Sequence, residues 1–439
     1  MPCVNPEEQL IPISSNSFIG DNWPPPRSAY CHIPFCRRRC FYCDFPVSVV
    51  GDRPPLRSQV KQAQLNSNNW ETIAHYVTVL CQEIDQTPNL GSPLDTIFLG
   101  GGTPSLLSVE QVGTVLQRLD QRFGIAAGAE ISMEIDPGTF DRSQLQGYQR
   151  AGVNRISLGV QAFQPELLAA CGRAHTVEEV YAAVAMIHQV GLENFSLDLI
   201  SGLPHQTLEH WQASLDKAIA LAPTHLSCYD LTVEPVTAFS RRYQPGLAPL
   251  PSDQTTAEMY RLASQQLRQA GYEHYEISNY AKPGYACRHN RVYWQNRPFY
   301  GFGMGATSYV NGDRVARPRK TGEYAAWVQT SQGAVAIDGP TSPTEYLLDT
   351  LMVRLRLADG LSLPALVQQF GEAAIQTVWH CLAPFWQTGW VTVIDDQGEP
   401  IACSNQLPWQ GVLRLTDPEG FLFSNVILVS LFAAFESDS

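Results

Sequence analysis

The sequence predicts an α/β protein, with six strand-helix units around a parallel sheet and a smaller helical domain after them. Three observations carry this expectation. Short apolar runs of strand character alternate with stretches of helical periodicity between Ala29 and Leu231. Helix-opening boxes stand in the gaps, Ser108-x-x-Gln111 and Thr176-x-x-Glu179 among them. After about Gly339 the alternation gives way to consecutive helices and one hairpin-like segment. Six units suffice for a partial (β/α)6 barrel, which is the architecture expected, although alternation alone leaves a doubly wound open sheet as the other solution.

Taken in order, residues 1–27 are rich in Pro, Asn and Ser and read as an irregular lead-in. A first strand over 29–33 ends at Pro34, and residues 47–69, rich in Pro, Gln and Asn, read as a surface loop. Ile73, Tyr76, Val77, Leu80 and Ile84 then recur on one helical face. A strand over 96–99 runs into Gly100-Gly101-Gly102-Thr103-Pro104-Ser105, after which Ser108 opens a helix carrying Val109, Val112, Leu116 and Leu119. Strands follow over 130–135 and 155–160. The next helix turns Val180, Val184 and Ile187 inward and is stopped by Gly191. A strand over 194–199, a helix opened by Thr207 with Leu208, Trp211, Leu215 and Ile219, and a strand over 224–231 complete the series. A helix over 252–270 precedes a further strand at 273–277. Helices over 343–356, 364–370 and 375–386 then lead to a hairpin at 390–394 with an Asp-Asp-Gln-Gly turn, a strand over 412–415 and a last helix. This reads as a winged-helix-like accessory domain, without the basic clusters of a DNA-binding wing. The expected domains are 1–27, 28–338 and 339–439.

With 439 residues and 44% hydrophobic composition the chain can bury a sizeable core. Lys+Arg 29 against Asp+Glu 42 gives 29 − 42 = −13, which argues against nucleic acid or an anionic membrane as partner. No run of about 18 apolar residues and no signal peptide is visible, so a cytoplasmic protein without an integral membrane segment is expected. Eleven Cys are too sparse for a disulfide scaffold. Cys3, Cys31, Cys81, Cys171, Cys228, Cys287, Cys381 and Cys403 read as free thiols.

The remaining three, Cys36, Cys40 and Cys43, form C-x3-C-x2-C just after the first strand. Three thiolates this close wrap one corner of an iron-sulfur cube and leave one iron open, since a cube held by protein alone needs a fourth. An all-sulfur set argues against Ca or Mg, and a structural zinc site would want a fourth Cys or His beside it. A zinc-binding interaction protein therefore stays a remote alternative. Arg37, Arg38 and Arg39 read as offsetting the charge of an anionic cluster.

Preceded by Tyr30 and followed by the triglycine turn, this loop resembles that of radical S-adenosylmethionine (SAM) enzymes. His32-Ile33-Pro34-Phe35 narrows the likeness to the coproporphyrinogen III oxidase-like group. The resemblance runs from about Tyr30 to Tyr309 and favours the incomplete barrel over the doubly wound sheet. It implies a 4Fe-4S cluster on Cys36, Cys40 and Cys43, with the open iron taking the amino and carboxylate groups of SAM. In the family an electron from the reduced cluster then breaks a C–S bond, giving a 5'-deoxyadenosyl radical. Matched motif by motif, SAM-contacting positions fall on Tyr30, Tyr42, Gly101, Gly102, Thr103, Glu134, Gln161, Arg173 and Asp198. An acid suits ribose hydroxyls, and Arg can fork onto a carboxylate.

Within that group, Phe45 stands where the decarboxylating branch has a fourth Cys, and His289-Asn290-Arg291-Val292-Tyr293-Trp294 matches the H-N-x-x-Y-W motif of the haem chaperone branch. That likeness implies a protein that binds haem and passes it to an acceptor protein, with a flavodoxin- or ferredoxin-like reductant, a homodimer being allowed for. His289 is then either a haem contact or a His bonded to a loop carbonyl. Tyr293, Trp294, Phe299 and Tyr300 either line the haem or close the barrel core. Ala306-Thr307-Ser308-Tyr309 lacks the His that many relatives carry there. The alternative is an oxygen-independent coproporphyrinogen III dehydrogenase, and whether the chain is an enzyme stays open.

Overall fold

The computed structural model describes residues 23–51, 67–330 and 342–436, apart from 403 and 405. Two compact units divide the chain at Gly339, and Trp23 groups with the second of them, edge-on to the Tyr346 ring at 5.3 Å. Cys3 and Cys403 lie outside the described residues, as does most of the loop expected over 47–69. No described helix is long and apolar enough to cross a membrane.

In the first unit the chain runs through β1 (Ser28–Ile33), the short β2 (Phe35–Cys36) and β3 (Ser48–Val49), and then α1 (Ser67–Gln86). There follow β4 (Leu94–Gly101), α2 (Val109–Phe123), β5 (Ile125–Ile135), α3 (Arg142–Ala151) and β6 (Arg155–Gln161). Next come α4 (Pro165–Ala170), α5 (Val177–Val190), β7 (Phe195–Ser201), α6 (Leu208–Ala220), β8 (His225–Asp230) and α7 (Asp253–Gln269). The unit ends with β9 (Glu273–Glu276), β10 (Asn279–Ala281), α8 (Arg288–Trp294), β11 (Tyr300–Phe302), the hairpin β12 (Thr307–Val310) and β13 (Asp313–Ala316), and α9 (Thr321–Thr330).

Strands β1, β4, β5, β6, β7 and β8 lie side by side in chain order, all parallel. A doubly wound sheet would reverse its order at a switch point, and this one does not. The sheet continues past β1 to a parallel β11 and past β8 to an antiparallel β10 and β9, so its two edges never meet. It is the expected partial (β/α)6 barrel. The strand anticipated at 273–277 forms, as the antiparallel edge β9 outside the parallel series.

Local chemistry explains the outer layer. Side chain and backbone cap each other reciprocally at Ser108/Gln111, Asp141/Gln144, Thr176/Glu179 and Thr207/His210, which satisfies the first amides of α2, α3, α5 and α6. The sequence reading passed over α3 and α4. Helix α3 has the Asp141 box and buries Leu145 and Tyr148, but it is short and rich in Gln and Arg, so its apolar face is thin.

The central strands β5 to β8 are mostly apolar on their outer side and mostly polar on the inner one. Ile131, Met133, Ile156, Leu158, Leu197 and Leu226 pack outward under the helices in the main core. The alternate positions, facing the barrel interior, carry Glu130, Ser132, Glu134, Ser157, Ser196, Asp198 and Ser227; Ser132 bonds Glu130, and Ser157, Ser196, Asp198 and Ser227 form a second bonded group. A filled barrel stacks Val, Ile and Leu there, so this interior is built to meet a polar ligand.

The second unit comprises α10 (Pro343–Arg354), β14 (Leu361–Ser362), α11 (Leu363–Phe370), α12 (Glu372–Cys381), α13 (Ala383–Gln387), β15 (Val391–Ile394), β16 (Pro400–Ile401), β17 (Val412–Leu415), α14 (Glu419–Leu422) and α15 (Ser424–Glu436). Helices and a four-stranded antiparallel sheet, β14-β17-β15-β16, make the mixed helical domain expected. The single helix anticipated over 375–386 is broken at Leu382, where Pro384 opens a second one.

One buried ion pair ties α1 to the end of the barrel. Arg317 Nε donates to Glu83 Oε1 at 2.8 Å with side-chain exposures of 2% and 3%, and Glu83 also accepts from the Tyr324 hydroxyl at 2.7 Å and the Gly303 amide at 2.8 Å. Glu83→Ala strands a buried guanidinium. It is expected to cost about 3–5 kcal/mol, read as a lower urea midpoint at unchanged slope.

Candidate functional site

Pro34 turns the chain at the end of β1, and a pair of backbone bonds closes the following residues into a loop. The Ser48 amide donates to the Pro34 carbonyl at 2.6 Å and the Val50 amide to the Cys36 carbonyl at 2.9 Å. Cys36, Cys40 and Cys43 sit on this loop, at the C-terminal end of the first barrel strand. Its outer part is pinned by Phe41 N to Cys171 O at 2.9 Å, Phe239 N to Phe41 O at 3.0 Å, and Arg319 Nη2 to Asp44 O at 2.7 Å. Tyr42 lies beside the loop with its ring tilted against Phe239 at 6.3 Å. Burial pushes the Cys36 thiol up to about 12 and raises Cys43 as well. Such thiols become ligands by releasing their protons to solvent when a metal centre binds.

The triglycine turn at the end of β4 is docked directly on this loop: Gly102 N donates to Ile33 O at 2.8 Å and Thr103 N to Phe35 O at 2.7 Å. Gly101 has a φ of +111°, and a Cβ there would fall 2.3 Å from the His32 ring. No other residue fits. His32 is itself fixed, donating from Nε2 to the Pro46 carbonyl at 2.9 Å while its Nδ1 accepts from the Tyr30 hydroxyl at 3.0 Å. Burial lowers it to about 4, which keeps it neutral.

Across the strand ends the predicted residues converge. Gly101 N donates to Glu134 Oε2 at 2.9 Å, and Thr103 Oγ1 donates to Asp136 Oδ2 at 3.0 Å. Arg173 Nη2 reaches Asp136 Oδ1 at 2.5 Å and the Gly159 carbonyl at 2.9 Å, while its Nη1 lies 3.5 Å from Cys40 Sγ. A Cβ on Gly159 would come within 3.2 Å of Asp136, Gln161 and Arg173, so a larger residue would displace the side-chain ends that meet above β6. Gln161 closes that strand in the left-handed region with φ 68°, just after a register shift. A non-glycine residue held there is a common mark of a functional strand end.

The structure amends three expectations. The fork of Arg173 is turned onto Asp136 and the cluster loop, leaving Nε buried without a partner. The strand expected over 194–199 runs on to Ser201, which puts Asp198 in the middle of β7, accepting from Ser157 at 2.8 Å and Ser196 at 3.0 Å inside the barrel. His289 is fully buried away from the cluster loop, level with Thr96 near the start of β4. Its Nδ1 pairs with the Thr96 hydroxyl at 2.8 Å and its Nε2 with the Tyr293 hydroxyl at 2.7 Å, while its amide donates to Glu130 at 3.0 Å. Both ring nitrogens are engaged, by hydroxyls and not by the loop carbonyl anticipated, and the ring stacks on Phe98 at 5.3 Å. Tyr293 packs edge-on to Phe299 at 4.7 Å, and Tyr300 stacks on Phe123 at 4.5 Å, as closing core.

Asp136 is a member of the site that sequence reading passed over. It stands two residues after Glu134 on the same strand face, so period-2 alternation could have found it.

The donor set suits a cubane corner and SAM. Three thiols share one loop with a guanidinium 3.5 Å from one of them, an unpaired buried Nε lies beside it, and the carboxylates Glu134, Asp136 and Asp198 suit a ligand that carries a sulfonium and an ammonium. Among the described residues no three His, Cys, Asp or Glu side chains are grouped to hold a single metal ion. Thiolates on a cubane each take a different iron and stand farther apart than the ligands of one ion.

Burial, with the nearby Asp198 and Asp136 charges, raises the Glu134 carboxyl to about 8 against the Gly101 amide bond. The folded chain thus keeps a proton that the unfolded chain has released above about 4.5. Stability attributable to Glu134 therefore falls as pH rises from about 4.5 to about 8. Urea unfolding of cluster-free protein should show wild type losing stability relative to Glu134→Gln across that window, and a flat difference would contradict the assignment.

The Radical SAM superfamily profile matches residues 30–218. The heme chaperone HemW of Synechocystis sp. is 47% identical over 94% of this chain and 98% of its own length. HemW of Escherichia coli is 37% identical over 83% of this chain and 94% of its own. Among solved structures, the Escherichia coli coproporphyrinogen III oxidase HemN, described as a radical SAM enzyme, superposes with a TM-score of 0.73 at 23% identity over 93% of this chain and 90% of that one. That likeness carries the fold. The barrel, the cysteine loop at its strand ends and near-full-length identity together show that this chain belongs to the HemW family within the radical SAM superfamily.

Proposed function

We propose that this chain is a cytoplasmic haem chaperone that holds a 4Fe-4S cluster on Cys36, Cys40 and Cys43, binds SAM, and passes haem to an acceptor protein, with a flavodoxin- or ferredoxin-like reductant. The observation that carries the reading is the convergence of the cluster loop, the docked triglycine turn and the Glu134, Asp136 and Arg173 set at one end of a polar barrel. The choice of branch rests on the name borne by its full-length relatives and on Phe45, which is 53% exposed where the decarboxylating branch has a fourth Cys. When bound, the cluster and SAM supply one-electron chemistry at a sulfonium. The chain's own part is to hold the ligand: Gly101 to Thr103 offer close backbone, Glu134 and Asp198 offer acceptors, Tyr30 and Tyr42 offer ring faces, and Gln161 and Arg173 fix the strand-end geometry. With both nitrogens of His289 engaged, haem is met elsewhere on the chain.

Replacing Cys36, Cys40 and Cys43 together by Ser should abolish iron, sulfide and brown absorbance after anaerobic reconstitution, and full retention would remove the cluster from these residues. Asp198→Ala is expected to weaken SAM binding by about 1–3 kcal/mol in calorimetry. The function is tested by titrating haem into wild type and His289→Ala, following the Soret band, with coproporphyrinogen III decarboxylation assayed in the same preparation. Haem binding in both proteins with no protoporphyrinogen formed is the expected result. Strong SAM-dependent decarboxylation without haem binding would restore the dehydrogenase.

A further inference from the structure

Asp198 is held by a chain of hydrogen bonds that crosses the barrel and begins on the His289 helix. Ser196 Oγ lies 3.0 Å from Asp198 Oδ1 and 2.8 Å from His225 Nδ1. His225 Nε2 lies 2.8 Å from the Tyr275 hydroxyl, and the Cys287 amide donates to that hydroxyl at 3.3 Å. Cys287 is the residue before α8, whose first two amides, on Arg288 and His289, both end on Glu130 at 3.0 Å. Ser196 and His225 are fully buried, and Tyr275 is 6% exposed.

Donor counting gives this chain one direction. A carboxylate only accepts, so the single Ser196 proton goes to Asp198, and Ser196 Oγ must then accept from His225 Nδ1–H. Burial and the Arg155 charge hold His225 well below its ordinary range, so it is neutral and has no second proton. Its Nε2 is therefore an acceptor for the Tyr275 proton, and the Tyr275 oxygen accepts from Cys287. Four donors in series all point at Asp198, an arrangement in which each bond polarises the next.

We propose that His225 is a positioning residue for SAM: through Ser196 it fixes the orientation of the Asp198 carboxylate, and through Tyr275 it ties that orientation to the backbone at the start of the His289 helix. The proposal rests on the reading that Asp198 meets SAM. It gives the H-N-x-x-Y-W segment a role as the anchored floor of the SAM site.

The test uses cluster-reconstituted full-length protein, with SAM affinity from calorimetry and with iron, sulfide and melting temperature as integrity measures. The amide of His225→Asn stands where Nδ1 stood and keeps the Ser196 bond, whereas that of His225→Gln stands where Nε2 stood and keeps only the Tyr275 bond. His225→Asn should bind SAM close to wild type, and His225→Gln and His225→Phe about tenfold more weakly, the scale of one lost bond feeding a charged acceptor. Tyr275→Phe removes one oxygen from the chain, is the variant least disturbing to folding, and should weaken SAM by a smaller factor. Equal losses in the Asn, Gln and Phe variants in step with melting temperature would make His225 packing only and overturn the proposal. So would wild-type affinity in His225→Gln or in Tyr275→Phe. Asp198→Asn separates the premise: if it binds SAM as wild type does, the reading of Asp198 fails, and if it binds weakly while the His225 variants do not, only the positioning role fails.

Discussion

The backbone of β4 meets the backbone of the cluster loop with nothing between them. Gly102 N on Ile33 O and Thr103 N on Phe35 O act as an extra turn of sheet beyond the ends of β1 and β4, so two separate segments become one surface. This works because Gly101 has no side chain to strike His32, and because His32 is locked by Tyr30 and Pro46. The thiols, the triglycine amides and the Glu134 carboxylate owe their closeness to that contact. A side chain at Gly101 would strike the His32 ring on β1 and disturb that contact.

Electrostatics then decides what the surface suits. Asp136 and Arg173 form a close pair whose other groups reach Thr103, Gly159 and Cys40, so a single guanidinium links the third strand, the fourth strand and the cysteine loop. Buried pairs of this kind add little net stability but are costly to break. Their worth here is geometric. Burial raises both Glu134, to about 8, and Asp198 inside the barrel, with the buried Arg155 guanidinium offsetting part of the shift, and a cation beside them would favour their charged forms further.

The opposite end of the barrel is closed. Glu130 caps the start of α8, His289 fills the floor between Thr96 and Tyr293, and Phe98 lies between that floor and Tyr30. In the H-N-x-x-Y-W segment His289 and Tyr293 are thus engaged with each other and with Thr96, and the segment is connected to the open end by buried hydroxyls and His225. Glu130 at the floor and Asp198 further up thus belong to one polar interior.

How much of this was legible in the chain follows from the range of each interaction. Capping boxes, strand runs and the C-x3-C-x2-C spacing depend on neighbours a few residues away, so the six parallel strands, the longer helices between them, the cysteine loop and the triglycine turn could be read directly, whereas the short α3 and α4 and the elements from β10 to α9 could not. Glu134, Gln161, Arg173 and Asp198 came from matching motifs, and their meeting place could not be read, because it depends on sheet stagger between strands 20 to 40 residues apart. The same holds for the two ring nitrogens of His289: a lone imidazole in a motif is a ligand or a brace according to whether Thr96 and Tyr293 reach them, and Thr96 is 193 positions away. Sequence by itself determined the family of the chain and the chemistry on offer. Only tertiary structure decided which polar groups are already paired, since a hydrogen bond is used up by whatever donor the fold brings within 3 Å.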